Sequence, residues 1–389
     1  MKIVGNSQFQ RAANASLILN TLRERREASR IELSATLGLR PSTVTYIVNR
    51  LMSAGLVREK VGKMPVTKSG RPPVLLEINK DFGRVVGLDL QADYYNAVVT
   101  DTTGTILRSL HKEYESRGPS FEELFQSVCD EILQDEGESP ILGVGLAVPG
   151  VVDHERSIIK DCWTHNLKNR DFTAFFEAGF EYPIVIENDA NCCAWKSLWD
   201  RGELEKDTFL YLLPRFHRKE ILPPGYPSIG VGLGLVFNGA VYHGYSHRAG
   251  EFRSVFLGGG DATQISLTQE EMERISDDSD ILRRLAVELL KNMFALIHIL
   301  NPRSLFIGGN LAGQGPMIQE VLNDELKEEW RQIEQTGCSL RVLEDAEMDV
   351  AKGAAYSMLT ELYSIPQLGE SDENQRKWRN LLSNIIEND

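Results

Sequence analysis

The spacing of apolar residues changes once along this chain, near Lys80, and the change separates two kinds of structure. Before it, apolar side chains recur every three or four positions in short stretches, the repeat of amphipathic helices. After it, continuous apolar runs such as Val85-Val86-Gly87-Leu88-Asp89-Leu90 alternate with helical stretches. That is the pattern of strands buried on both faces with helices packed over them. A length of 389 residues accommodates two or three domains. The pattern predicts a helical head over residues 1–80 and an α/β body whose two lobes cover 81–200 and 201–366. A tail helix is predicted in 367–389, where Trp378, Leu381, Leu382, Ile385 and Ile386 fall at helical spacing.

Charge follows the same division. The first eighty residues hold fourteen basic side chains against five glutamates and no aspartate, a balance of +9, whereas the remainder carries −23 of a total of −14. A small basic module on an acidic body is how a phosphate-binding head is carried by a domain that DNA repels; a solvated basic face is the alternative. No run approaches the ~18–20 apolar residues of a membrane span. Residues Met1 to Ser7 lack the apolar core of a signal peptide, so a cytoplasmic location without membrane contact is expected. Cys129, Cys162, Cys192, Cys193 and Cys338 show no C-x-x-C spacing and read as buried free thiols.

Within the head, residues 13–25 form one helix through Leu17, Ile18 and Leu22, and Arg30 to Leu37 a second with Leu33 and Leu37 inward. Gly38 ends it, and Pro41 suits the first turn of a third helix, where a missing N–H costs nothing. That helix, from Pro41 or Ser42 to Ala54, buries Val44, Ile47, Val48 and Leu51. Its other face presents Ser42, Thr43, Thr45, Tyr46, Asn49 and Arg50, behind Arg40. Hydroxyls, an amide and cations are the groups that read base edges and hold phosphates in a major groove. Residues 56–59 and 73–78 read as two strands joined by a loop bearing Lys60, Lys63, Lys68 and Arg71. Helix, turn, helix and basic two-stranded wing make a winged helix-turn-helix, and those eleven residues are its candidate contacts to double-stranded DNA. Ser69-Gly70-Arg71-Pro72-Pro73 reads either as a stiff turn or as a groove contact.

In the body, strands are predicted at 85–90, 95–101 and 105–107, a helix at about 120–134, and strands at 141–148 and 184–186, the last leading into a helix containing Trp195. The theme repeats with strands at 209–213 and 229–237, a helix at about 280–299 and a strand at 305–307. Two similar lobes imply a cleft between them. The glycines at 230, 232, 234, 308 and 309 suit either a phosphate loop or tight strand packing, with packing preferred.

Five segments in order carry a resemblance: the Asp89-Leu90 strand end, Gly145-Leu146-Ala147-Val148-Pro149-Gly150-Val151-Val152-Asp153, Glu187-Asn188-Asp189-Ala190-Asn191, Ala249-Gly250-Glu251-Phe252, and Asn301-Pro302-Arg303 to Gly308-Gly309. Over residues 14 to 366 the chain resembles the ROK family of repressors and sugar kinases, in its repressor branch. The resemblance implies a two-lobed actin-like ATPase (ribonuclease H-like) domain behind the winged helix-turn-helix, and control of carbohydrate-utilisation genes. It places Pro149, Gly150, Asn188, Asp189 and Glu251 around a sugar-like effector, with Asp189 at the position of the kinases' catalytic base. Asn188 also suits a helix cap.

The chain departs from that pattern at two places. Sugar kinases of the family have Gly-Gly-Thr after the first aspartate, where backbone meets ATP phosphates; here Leu90-Gln91-Ala92-Asp93 follows Asp89, and a carboxylate repels phosphate. Asp189 is then vestigial, and neither catalysis nor a cofactor is expected. The family's zinc site uses a histidine three residues after the Gly-Glu and a cysteine cluster; here Ser254 takes the histidine's place and no cysteine follows, so no metal is expected. His243 and His247 read as solvated loop histidines. The leading reading is a DNA-binding repressor, a homodimer or dimer of dimers, responding to a sugar. The rivals are a DNA-bound docking module without small ligand, and an ATP-dependent sugar kinase.

Overall fold

The computed structural model of the chain describes residues 7–60, 73–114, 120–134, 139–172, 180, 182–201, 207–222, 225–258 and 263–364. The head comprises α1 (Ser7–Arg25), β1 (Ala28–Ser29), α2 (Arg30–Leu37), α3 (Pro41–Ser53), β2 (Val57–Glu59) and β3 (Leu75–Ile78). Ser29 caps α2 in a reciprocal box with Glu32, satisfying backbone donors the first turn leaves free. Gly38 ends α2 at φ 64°, a left-handed conformation a β-carbon would strain. Pro41 opens α3, which buries Val44, Ile47, Val48 and Leu51 as its spacing requires. Two details differ from the sequence reading. The first helix starts at Ser7, and the hairpin gains a third strand, because Ala28 and Ser29 pair with Leu76 and Leu75.

The first lobe follows with β4 (Arg84–Leu90), β5 (Tyr94–Asp101), β6 (Ile106–Glu113), α4 (Phe121–Leu133) and β7 (Ile141–Val148). A small antiparallel sheet of β8 (Val151–Asp153), β9 (Ile158–Cys162) and β10 (Leu167–Asp171) precedes β11 (Ile184–Asn188) and α5 (Asp189–Arg201). The second lobe holds β12 (Phe209–Phe216), β13 (Ile229–Phe237), β14 (Ala240–Val241), α6 (Gln269–Arg274), α7 (Ser279–Leu300) and β15 (Ser304–Ile307), then α8 (Gly315–Asp324), α9 (Lys327–Gln335) and β16 (Ser339–Val342). The last described helix is α10 (Asp349–Leu362).

The two main sheets share one topology. Their strand orders are β6-β5-β4-β7-β11 and β14-β13-β12-β15-β16, in each case an antiparallel hairpin run on one side of the first strand and parallel partners on the other. Strand β6 extends to Glu113, beyond the three residues expected, because this edge strand buries no residue fully, and so admits Arg108, Ser109 and Lys112, which hide the apolar signal.

Alternate residues of each central strand feed different layers. Val86, Leu88 and Leu90 meet α4, whereas Val85 meets Ala351, Ala355 and Met358 of α10. Leu210 and Leu212 meet α7, whereas Phe209, Tyr211 and Leu213 face Ala190, Cys193 and Ala194 of α5. Helices α5 and α10 thus lie between the sheets. Gly232 and Gly234 serve this packing: a β-carbon at Gly234 would sit 2.5 Å from the Ala190 carbonyl oxygen. The second lobe, expected to run to residue 366, therefore gives up its last helix, since α10 packs on the first sheet. The same core continues through Leu359, Leu362 and Tyr363 into Ala15, Ile18, Leu19 and Leu22 of α1, joining head to body. All five cysteines are buried and free. Among the described residues no helix is long and apolar enough to cross a membrane. The expected tail helix lies outside them.

Candidate DNA-reading helix and interlobe cleft

On α3, Ser42, Thr45, Tyr46 and Asn49 are exposed, as is Arg40 before it, while Thr43 and Arg50 are half-buried. Thr45 Oγ1 donates to the Pro41 carbonyl at 2.8 Å, which leaves both lone pairs of this oxygen as acceptors. Arg50 lies over Tyr46, its guanidinium carbon 5.6 Å from the ring centre, and donates to the phenol oxygen at 3.4 Å. Two cations that the sequence reading passed over join this face. Arg30 donates to Asn49 Oδ1 at 3.3 Å, and Arg11 stands 5.8 Å from the Tyr46 ring. Lys60, read as a wing contact, is paired with Glu27. Lys63, Lys68 and Arg71 lie outside the described residues.

Pro149, Gly150, Asn188, Asp189 and Glu251 line one cleft between the lobes. The chain brings them together because β7, β11 and α5 end or begin at the same edge, and Glu251 bridges across to Gly232 on β13. Asn188 serves both roles the sequence allowed. Its Oδ1 accepts the Asn191 N–H at 3.0 Å, capping α5, and its Nδ2 donates to the Gly150 carbonyl at 2.9 Å and to Asp189 at 3.1 Å. Trp163, stacked on Tyr226 at 5.7 Å, and Asp161 complete the wall beyond the predicted set. A flat aromatic face beside amides and carboxylates suits a polar ring with apolar C–H faces. The space enclosed is about 90 Å³, smaller than the ~300–1,000 Å³ of typical small-molecule pockets.

The residue that organises this cleft is Arg215, near the end of β12, and sequence reading missed it. Its guanidinium lies 2.9 Å from Asp89 Oδ2 and 3.1 Å from Asp189 Oδ2, and it contacts the Tyr94 hydroxyl. Asp89's other oxygen accepts from Gln91 Nε2 at 2.6 Å. Arg215 is 7% exposed and Asp89 fully buried, so the pairs bind where water screens little. Burial pushes the Asp189 carboxyl above its ordinary range, against the pull of Arg215. Two residues on, His217 Nδ1 lies 3.1 Å from Asp93 Oδ1, and the Arg218 N–H donates to Asp93 Oδ2 at 3.2 Å. Burial alone raises the Asp93 pKa, but the His217 bond and charge outweigh it and the pKa falls below its ordinary value. The turn after β4 is thus pinned to the second lobe by one acid–base contact and one backbone hydrogen bond.

His243 and His247 are not solvated loop histidines. Both are half-buried: His243 Nε2 lies 2.8 Å from Glu187 Oε2, and His247 Nε2 3.4 Å from Asp153 Oδ2. They pair with residues more than fifty positions away, which spacing along the chain does not reveal.

Residues 14–58 match a family described as winged helix-turn-helix DNA-binding, and residues 85–255 match the ROK family. The chain is 31% identical to a xylose repressor of Bacillus spizizenii over 253 residues, 64% of this chain and 61% of the relative, so it spans about three-fifths of that relative's length. Over 129 residues, 33% of this chain and 38% of the relative, it is 33% identical to an N-acetyl-D-glucosamine kinase of Aliivibrio salmonicida. Its fold is similar to that of a ROK family transcriptional regulator, homolog of the E. coli MLC protein, with a TM-score of 0.65 at 18% identity, over 92% of this chain and 99% of that one. The chain thus carries a ROK family domain behind an N-terminal winged helix-turn-helix.

Proposed function

We propose that this protein is a DNA-binding repressor of carbohydrate-utilisation genes that responds to a sugar in the interlobe cleft. In this reading α3 enters the major groove of an operator, with Arg40, Ser42, Thr43, Thr45, Tyr46, Asn49 and Arg50 on bases and phosphates and the wing lysines on the backbone. A homodimer matches a two-fold operator. Pro149, Gly150, Asn188, Asp189 and Glu251 hold the sugar hydroxyls against Trp163. The similarity to a repressor named for xylose makes a neutral pentose the first effector to try.

The observation that carries this reading is Arg215 lodged between Asp89 and Asp189. A kinase needs the first aspartate's surroundings open to phosphates and metal, and the second free to accept a hydroxyl proton. Here both are held by one buried guanidinium, while the sugar-side residues still face the cleft. The protein is therefore read as a regulator rather than an enzyme. Helix α10 supplies a route from cleft to head: its Ala351 carbonyl closes on Gly87 of the Asp89 strand, Gly353 closes on Cys192 of the Asp189 helix, and its end packs on α1. One observation favours a docking regulator without small ligand, namely the modest volume of the cleft.

Titrating the protein against its own upstream DNA at stated salt, with and without xylose and a panel of other sugars and sugar phosphates, separates these readings. Specific binding released by one sugar is the expected result. Specific binding indifferent to every sugar would favour the docking reading, and ATP-dependent sugar phosphorylation would establish the kinase.

A further inference from the structure

Behind the cleft, three side chains of metal-binding chemistry converge from separate pieces of chain. His154 follows β8 in the hairpin turn, Glu187 lies on β11, and His243 follows β14 in the second lobe. Each offers one ligand atom, and these atoms all lie within 4.8 Å of one another. Glu187 Oε2 is 2.8 Å from His243 Nε2, and the His154 and His243 rings stack with centres 3.8 Å apart. We propose that His154, Glu187 and His243 bind a divalent first-row transition ion, Zn²⁺ foremost, with water completing its coordination.

The donor set selects the ion. Two imidazole nitrogens and a carboxylate oxygen are a three-ligand set that Zn²⁺ accepts in tetrahedral sites with one open position. Ca²⁺ asks for roughly six to eight oxygens, and Mg²⁺ for octahedral oxygen coordination. Bonds of ~2.0–2.1 Å place tetrahedral donors about 3.3 Å apart, so the outermost donors, within 4.8 Å of one another, draw in while the Glu187–His243 pair, at 2.8 Å, opens slightly, both by rotation of the side chains. The carboxylate is oriented for the task. Glu187 is 2% exposed, and its Oε1 accepts from the Asn188 N–H at 2.8 Å and from Asn191 Nδ2 at 3.1 Å, which turns Oε2 toward the histidines and Trp195. Outer contacts of this kind fix a ligand's aim in metal sites. On binding, the ion takes the place of the proton shared between His243 and Glu187.

The position gives the ion a consequence. Glu187 directly precedes Asn188 and Asp189, and the segment from His243 runs on to Glu251, so an ion here ties the first-lobe wall of the cleft to the second-lobe wall. The site itself stands whether or not the cleft takes a sugar.

Untagged full-length protein, stripped with chelator and dialysed, is titrated with Zn²⁺ by calorimetry and with Co²⁺ by visible absorption. One equivalent bound, with tetrahedral Co²⁺ bands that Zn²⁺ abolishes, is expected. His154→Asn, which spares the Glu187–His243 contact, and His243→Ala should each weaken binding at least tenfold while far-UV circular dichroism stays unchanged. His298→Ala, at an exposed position on α7, should leave binding as it was. No saturable binding by the wild type, or binding that His154→Asn and His243→Ala leave intact, overturns the proposal.

Discussion

Single residues decide what the cleft is for. Arg215 places one positive charge between two buried carboxylates from different elements, and removing it takes that charge from both. Arg215→Met should therefore destabilise the fold by about 3–5 kcal/mol, read from urea denaturation. A loss of under about 1 kcal/mol would mean that the aspartates find other partners. Asp93 offers a second test through pH. Its folded pKa lies below the ordinary 3.8, so its contribution is complete above the unfolded value and is lost as pH falls through the lower, folded one. The stability difference between about pH 7 and about pH 3 should be smaller in Asp93→Asn than in the wild type. On the head, Arg50→Ala and Tyr46→Ala should weaken operator binding by about 1–3 kcal/mol, whereas Lys63→Ala should lower affinity for all sequences alike and flatten the salt dependence. Band-shift titrations on operator and scrambled DNA distinguish these outcomes. The α3 face was legible in the sequence because a helix shows its polar side at a fixed spacing. Arg215 was not, since its partners Asp89 and Asp189 lie far along the chain and nothing in the β12 run Phe209-Leu210-Tyr211-Leu212-Leu213-Pro214-Arg215-Phe216 marks its guanidinium as buried.

Among elements, α10 has the largest reach. It packs on the first sheet and against α5, and Tyr363 at its end ties body to head: its hydroxyl donates to the Thr102 carbonyl after β5 at 2.8 Å, and its carbonyl accepts from Ser16 of α1. Trp199 of α5 stacks on Tyr356 at 4.8 Å, and the Arg23 guanidinium of α1 lies over its ring at 4.3 Å. The closest approach is Gly353, where a β-carbon would meet the Cys192 carbonyl oxygen at 1.7 Å. Gly353→Ala should force α5 and α10 apart and cost about 1–3 kcal/mol or more, seen as a lowered Tm. An unchanged Tm would remove the close packing on which the cleft-to-head route depends. Strands β4, β7 and β13 were legible because each is a continuous apolar run. The membership of α10 was not, since an amphipathic helix states that it is buried and not which sheet buries it.

At the scale of the whole molecule, a head and a cleft joined through one packed core should respond to each other reciprocally. If a sugar weakens operator binding by some factor, operator DNA must weaken sugar binding by the same factor, and calorimetry with and without operator checks the equality. Equal sugar affinity in both cases would leave head and cleft uncoupled. The charge division at Lys80, the turn signals at Gly38 and Pro41, and the repeated strand pattern were sufficient to reach a winged helix-turn-helix and a two-lobed α/β body, because helix and strand periodicity, turn chemistry and net charge are local properties of a chain. The Asp89–Arg215–Asp189 bridge, the His154–Glu187–His243 cluster, the transfer of α10 to the first lobe and its seat beneath the head were decided only in the tertiary structure. Each depends on how elements separated by tens to hundreds of residues pack against one another, and that packing leaves no periodic trace along the sequence.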